Sequence, residues 1–207
     1  MNFVSPDLSP AYAEMFVLGM TCLVLVVDVF LKDSQRGITY VLSMLTLLGA
    51  AAITATSGVV AQELVFSGHF VSDPMGDVLK LVVYATTAVV FLYSRDYLRQ
   101  NDLFKGEFFM LALFAMLGIM VMISAGSMLS LYLGLELLSL SMYALVAFQR
   151  DSAQAAEAAM KYFVLGAIAS GCLLYGISLL YGMTGTISLS GISASFTTAT
   201  AGGETRS

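Results

Sequence analysis

Glu136 is the residue whose type and position point most directly to chemistry. It lies in an apolar stretch that holds no other charged residue, and within hydrocarbon an ionised carboxylate costs roughly 2.5–3.5 kcal/mol on insertion scales. At about 100° per helical residue, Tyr132, Ser139 and Tyr143 fall on the same helix face as Glu136. This polar stripe can carry hydrogen bonds or water. The sequence therefore predicts that Glu136 gains and loses a proton inside a membrane.

The opposite face of the same helix carries small residues that favour close packing against a neighbour. They are Ser127, Ser130, Gly134 and Ser141. A second interpretation of Glu136 stays open, in which a permanently protonated carboxyl only joins helices through hydrogen bonds. Intramembrane ionisable residues are usually functional, which favours the proton-transfer interpretation.

Lys161 follows Glu157 by four residues, a spacing and order that favour an ion pair on a helix. Two interpretations of this lysine remain: a charge that tunes the protonation of Glu136, or a local pair whose lysine reaches towards the membrane surface. We expect Lys80 to reach the surface in the same way. Three acids near predicted helix ends are expected to be solvated: Glu14, Asp28 and Glu107.

Six stretches are long and apolar enough to carry these residues across a bilayer, which takes about 20 helical residues each. The predicted helices span residues 12–31, 38–58, 75–94, 108–125, 128–148 and 157–182. With 58% hydrophobic residues, 11% charged residues and a mean hydropathy of +0.87, the chain has too little charge for a water-facing surface. The predicted fold class is all-α integral membrane, with a transmembrane domain over residues 1–192 and a polar, disordered tail over 193–207.

Local signals refine the helix boundaries. Asp73 and Pro74 are typical of the cap and first residue of the third helix. The Ser-Ala-Gly-Ser run at 124–127 separates the fourth helix from the fifth. Residues 64–71, which are rich in β-forming types around a Ser-Gly pair, predict a small hairpin.

Basic residues lie mostly on one side of the predicted membrane, and the positive-inside rule makes that side cytoplasmic and places the N-terminus outside the cytoplasm. On the cytoplasmic side are Lys32, Arg36, Arg95, Arg99, Lys105, Arg150 and Lys161, and on the other side are Lys80 and Arg206.

The sequence contains no pattern typical of nucleic-acid, metal or cofactor binding. The net charge of -5 and the absence of a basic cluster argue against a nucleic-acid partner. His69, the single histidine, has no Cys, Asp or Glu at ligand spacing, so no metal site is predicted. Phosphate-binding glycine loops, cysteine clusters and dinucleotide fingerprints are also missing, so no cofactor is expected on this chain.

A family resemblance is carried by four stretches: LYLGLELLSL at 131–140, EAAMKYF at 157–163, LGAIASG at 165–171 and LYG at 174–176. They are similar to the antiporter-like membrane subunits of respiratory complex I, most closely to those of the N type. The resemblance extends from the first helix to about Ile192 and is densest from Glu107 onward. Because these subunits have about fourteen helices in two inverted repeats, it implies a chain that matches the first six, as a truncated product or a fragment.

The resemblance also implies a function, as a subunit of proton-translocating NADH:quinone oxidoreductase. Glu136 matches the family glutamate of the proton path. Lys161 matches a lysine of the family pattern, and Glu107 matches an acidic residue at the start of the fourth helix. Redox chemistry is expected elsewhere, since FMN, iron–sulfur clusters, NADH and quinone belong to other subunits. The implied partners are the other membrane subunits of complex I and the lipid of a bacterial inner membrane.

Two alternative functions remain. The first is a structural or assembly subunit without transport, because the family glutamate works with lysines on later helices that this sequence does not contain. The second is a subunit of a related cation/proton antiporter, which shares these motifs less closely.

Overall fold

Helices form most of the described residues in the computed structural model, which describes residues 8–31, 36–57, 62–101 and 103–203. A 3-10 turn, Ser9–Ala11, leads into α1. The α-helices are α1 Tyr12–Phe30, α2 Gly37–Thr56, α3 Pro74–Gln100, α4 Gly106–Ile123, α5 Met128–Val146, α6 Ala153–Thr184 and α7 Leu189–Gly203. Two short antiparallel strands, β1 Glu63–Val65 and β2 Phe70–Ser72, lie between α2 and α3.

Six of these helices, α1 to α6, are long and apolar enough to cross a membrane. A helix suits lipid because it satisfies its own backbone hydrogen bonds. The predicted all-α membrane fold class is confirmed. The helices α3 and α6 are longer than predicted because they continue through charged or polar turns at their ends. The predicted end of the second helix at Gly58, and the basic residues Lys32 and Arg206, lie outside the described residues.

The C-terminal segment corrects the sequence-based prediction. Residues from 193 onward were expected to be disordered, but α7 runs from Leu189 to Gly203. Apolar side chains at Leu189, Ile192 and Phe196 recur at helical spacing, and Ile192 is buried. The Leu189 amide also donates to the Gly126 carbonyl at 3.1 Å, which ties the start of α7 to the α4–α5 turn. Composition alone, rich in Ser, Thr and Gly, concealed this pattern.

The core lies among α1 to α4, with Phe109 at its centre. This ring is fully buried and makes edge-to-face contacts, 5.2 to 5.6 Å between centroids, with Tyr40, Phe91, Phe104 and Phe108. Such pairs are favourable because the ring edge and the ring face carry opposite partial charges. Helix α5 packs on α4, and α6 packs on α5 at the edge of the bundle. The core therefore fixes α4, and α4 positions α5.

The connections on one side of the bundle follow the predicted local signals. Asp73 caps α3 by accepting a hydrogen bond from the Gly76 amide at 2.9 Å, and Pro74 is the first helical residue. The predicted hairpin and the predicted break between α4 and α5 are also confirmed. The hairpin binds the α4–α5 turn through the Val71 amide, which donates to the Ser124 carbonyl at 2.8 Å.

Candidate functional site

The polar face of α5 lies against α6 halfway along the membrane-spanning part of the chain. The Ser170 hydroxyl of α6 donates a hydrogen bond to Oε1 of Glu136. The same hydroxyl is 3.0 Å from the Tyr132 hydroxyl. Ser170 therefore joins the carboxyl and the phenol into one hydrogen-bonded group across two helices. Because Glu136 is central in α5, this group lies far from both membrane surfaces.

The other two residues of the predicted stripe complete the α5–α6 contact differently. The Tyr143 ring packs edge-to-face on Tyr162 and Phe163 of α6, at 4.8 Å and 5.6 Å between centroids. Its hydroxyl lies over Gly166, where a side chain would collide with it. Ser139 is half-buried, and its hydroxyl has no hydrogen-bond partner among the described residues. The structure thus brings Tyr132 and Glu136 together. Tyr143 lies nearer the C-terminal end of α5, where it packs against α6.

Close packing on the other face of α5 holds Glu136 in place. A Cβ at Gly134 would lie 2.8 Å from the Gly118 carbonyl oxygen, and a Cβ at Gly118 would lie 2.7 Å from that of Gly134. Both glycines are buried. Backbones can approach this closely only where both residues lack side chains. Ser127 instead caps α5, accepting from the Ser130 amide at 3.2 Å.

Lys161 pairs with Glu157 on the surface of α6, with 2.5 Å between Nζ and Oε1. The predicted spacing-based ion pair is confirmed, and both side chains are about two-thirds exposed in this chain (70% and 67%). Lys161 is nine residues from Ser170, which is about 13 Å along the helix axis. The described contacts do not join Lys161 to Glu136, so an interaction between them would act through space.

Glu107 lies at the other membrane face from the hairpin and pairs with Arg150 at 2.9 Å. The pair borders a cavity of about 770 Å³ that also contacts Asp28 and Arg36. The Glu107 side chain is 42% exposed, as predicted for an acid at a helix end. Asp28 is less solvated than predicted, because its Oδ1 accepts from the Thr39 hydroxyl at 2.8 Å.

The sequence-based prediction for Glu14 and Lys80 is wrong. Instead of reaching solvent, the two side chains pair at 2.7 Å with exposures of only 9% and 3%. Sequence periodicity within α1 or α3 cannot show this, because the contact depends on how the two helices meet. Ser170 was missed for the same reason, although a serine among small apolar residues on α6 was a usable signal.

Comparisons with known proteins agree with this architecture. A family model described as NADH:quinone oxidoreductase/Mrp antiporter, TM, matches residues 125–205. Subunit N of NADH-quinone oxidoreductase from Thioalkalivibrio sulfidiphilus is 55% identical over 202 residues, which are 98% of this chain and 42% of that protein. The corresponding subunit from Thiobacillus denitrificans is 58% identical over 184 residues, 89% of this chain and 38% of that one.

Solved structures give the same picture. A chain of respiratory complex I from Thermus thermophilus with bound aureothin matches with a TM-score of 0.71 and 26% identity, over 86% of this chain and 38% of that chain. A chain of the membrane-bound sulfane sulfur reductase, an archaeal respiratory membrane complex, matches with a TM-score of 0.69 and 25% identity, over 91% and 40%.

Two conclusions follow about the predicted resemblance. Similarity to the antiporter-like membrane subunits of complex I is confirmed, and the chain spans about two fifths of the length of the relatives it matches. The predicted end of the resemblance near Ile192 is wrong, because the family match continues to residue 205. The helix α7, Leu189–Gly203, lies within the matched residues.

Proposed function

Because this chain is similar over 98% of its length to subunit N of a bacterial NADH-quinone oxidoreductase, we propose that it forms part of the membrane arm of such an enzyme and contributes to its proton path. The observation that supports this function most directly is the hydrogen-bonded group of Tyr132, Ser170 and Glu136 in the middle of α5 and α6. A carboxyl at this depth exchanges a proton only if protein groups compensate its charge.

In the proposed mechanism, Glu136 holds a proton and passes it on. When Glu136 is ionised, the Ser170 hydroxyl donates to it and stabilises the negative charge. When Glu136 is protonated, its own O–H can donate, and Ser170 can turn its hydroxyl towards Tyr132. The group therefore accommodates both protonation states without movement of a helix. Ser139, which has a free hydroxyl among the described residues, extends the polar face towards Tyr143.

Lys161 and Glu107 take part at the membrane face opposite the hairpin. A positive charge on Lys161 stabilises the ionised form of Glu136 through space, and the effect weakens while Lys161 is paired with Glu157. Glu107 borders the cavity between α1, α4 and α5 and delivers protons from that face. On the positive-inside rule this face is cytoplasmic and the N-terminus lies outside the cytoplasm, in a bacterial inner membrane.

Electron transfer takes place on other subunits in this proposal. NADH, FMN, iron–sulfur clusters and quinone bind there, and this chain supplies proton movement to a translocating oxidoreductase. Its partners are the other membrane subunits of the complex and lipid. The chain makes few buried contacts along α6, which leaves that helix available to protein neighbours.

Co-purification followed by a transport assay tests the assignment. The chain, tagged in its native membrane, is expected to co-purify with NADH-oxidising activity, and vesicles that contain it should acidify when NADH is added. A structural or assembly subunit without transport would co-purify equally well. It would differ in one respect, because removing its ionisable site residues would leave acidification intact.

A second function is favoured by the family description itself, which includes Mrp antiporters as well as the oxidoreductase. A subunit of a cation/proton antiporter would move protons against sodium without NADH. Sodium-dependent proton release from vesicles in the absence of NADH would identify it.

A further inference from the structure

A buried ion pair links α1 to α3 on the side of the bundle away from Glu136. The Lys80 ammonium lies 2.7 Å from Glu14 Oε1, and the two side chains are 3% and 9% exposed. Glu14 is in the first turn of α1 and Lys80 is in the second turn of α3. Both positions are near the hairpin, at the end of the bundle opposite Glu107.

A buried ion pair of this kind contributes little to the net stability of the fold. Removing two charges from water costs several kcal/mol per ion, roughly as much as their attraction returns, and apolar residues of similar size often replace buried pairs without loss. Glu14 is also incompletely satisfied, because its Oε2 is buried and has no hydrogen-bond partner among the described residues. An orphaned carboxylate oxygen adds a further cost of about 1–3 kcal/mol. The same oxygen is a free position for a proton.

The surroundings of the pair can accommodate Glu14 in either its ionised or its neutral form. From the α4–α5 turn, the Ser124 hydroxyl donates to Oε1 at 3.4 Å. From the hairpin, the Phe70 ring lies 5.4 Å from the Lys80 ammonium and covers it with a cation–π contact. Lys80 therefore keeps favourable contact with a ring face if Glu14 is neutralised.

A polar column on α3 connects this pair to the membrane surface. Asp77, Lys80 and Tyr84 lie three and four residues apart and share one helix face. At the exposed end, the Ser57 hydroxyl donates to Asp77 Oδ2 at 3.0 Å. At the buried end, the Tyr84 hydroxyl is 3.2 Å from that of Thr54 on α2. Further along α3, away from the hairpin, the same helix contributes the apolar core residue Phe91. The column therefore runs about 10 Å inward from the surface and stops.

We propose that Glu14 and Lys80 form a second proton-binding site, in which Glu14 takes a proton on its free Oε2 and returns it by way of Asp77. The carboxylate becomes a carboxylic acid when a proton arrives from the water at the hairpin end, and Lys80 remains an ammonium throughout. Among the residues that the structure describes, the titratable groups that face this site are Lys80, Asp77 and Tyr84, all on α3. The inference depends on the proposed proton-path function, since it adds a site at the opposite membrane face.

Carbodiimide labelling of the native complex tests whether Glu14 becomes protonated. Dicyclohexylcarbodiimide is apolar and adds to protonated carboxyl groups, the acid proton moving to a carbodiimide nitrogen. Peptide mass spectrometry then locates the label. We expect labelling of Glu14 to rise at least about tenfold as the pH is lowered, because only the protonated carboxyl reacts. A permanently ionised structural pair would leave Glu14 unlabelled at every pH, and that result would overturn the proposal.

A charge-free variant separates proton binding from a purely structural role. Glu14→Gln combined with Lys80→Met removes both charges and nearly preserves side-chain volume. We expect this complex to assemble but to pump about tenfold fewer protons for each NADH oxidised. Glu63→Gln, which removes an exposed carboxylate from the same end, should pump normally. Wild-type pumping by the double variant would refute the proposal. If the double variant does not assemble, the labelling result decides.

The failure of this inference can be distinguished from failure of the proposed function. Glu136→Gln is measured in the same membranes. Lost pumping in Glu136→Gln together with normal pumping in the double variant refutes the second site alone. Normal pumping in Glu136→Gln refutes the assigned role of Glu136, whatever the double variant does.

Discussion

The Ser170 hydroxyl donates a hydrogen bond to Glu136 Oε1, and this contact connects α6 to α5 in the middle of the membrane-spanning part. One hydroxyl lies between the carboxyl and the Tyr132 phenol, 3.0 Å from the latter. The contact explains how a carboxylate is tolerated at this depth. It also makes Ser170, which lies in the 165–171 stretch but was not among the predicted site residues, a residue on which the protonation of Glu136 depends.

Replacing Ser170 with alanine should weaken proton pumping without preventing assembly. A hydrogen bond to a charged acceptor contributes roughly 1.5–3 kcal/mol, so its loss should slow proton transfer about tenfold. The measurement is acidification of membrane vesicles, normalised to NADH oxidation. Ser178→Ala is the matched control, because that hydroxyl on the same helix donates only to the Tyr175 carbonyl. Equal pumping by the two variants would show that Ser170 has no part in the path.

Valine at Gly134 should disrupt the subunit itself. Its Cβ would lie 2.8 Å from the Gly118 carbonyl oxygen and 2.9 Å from the Met122 amide nitrogen. Overpacking of this kind costs about 1–3 kcal/mol, so less of the chain should accumulate in the membrane at raised temperature. Gly19→Val controls for the change in helix propensity, since a Cβ at Gly19 contacts nothing within 4 Å. The packing account is wrong if both variants accumulate equally.

Lys161 and Glu157 can be separated by single substitutions, although they form one ion pair. The pair is exposed, so its loss should cost less than about 1 kcal/mol of stability. If the Lys161 charge acts on Glu136, Lys161→Met should lower pumping about fivefold or more. Glu157→Gln should not lower pumping, because it frees the lysine without removing its charge and so strengthens the effect of that charge on Glu136. Equal losses in both variants would indicate that only the pair matters.

Much of the fold could be predicted because membrane helices are encoded locally. Length and hydropathy indicate six spans, Asp73 and Pro74 mark the start of α3, and the 124–127 run marks the α4–α5 turn. Periodicity also placed Tyr132 and Glu136 on one face of α5, and the structure confirms that both contact the same serine.

Contacts between helices could not be predicted from one sequence. The expectation that Lys80 reaches the surface was based only on its depth in the predicted helix. Its partner in the structure is Glu14 on α1, 66 positions earlier in the sequence. The hydroxyl of Ser170 likewise lies on another helix, 34 positions after Glu136. Composition was misleading for the C-terminal segment, where small and polar residues concealed the apolar spacing of α7.

Substitution of Glu136 by glutamine tests the central claim most directly. Glutamine keeps the size and can accept the Ser170 hydrogen bond, but it cannot be ionised or carry an exchangeable acid proton. In vesicles that contain equal amounts of assembled complex, we expect NADH-driven acidification to fall at least about a hundredfold for Glu136→Gln. Acidification at the wild-type ratio of protons to NADH would contradict the account.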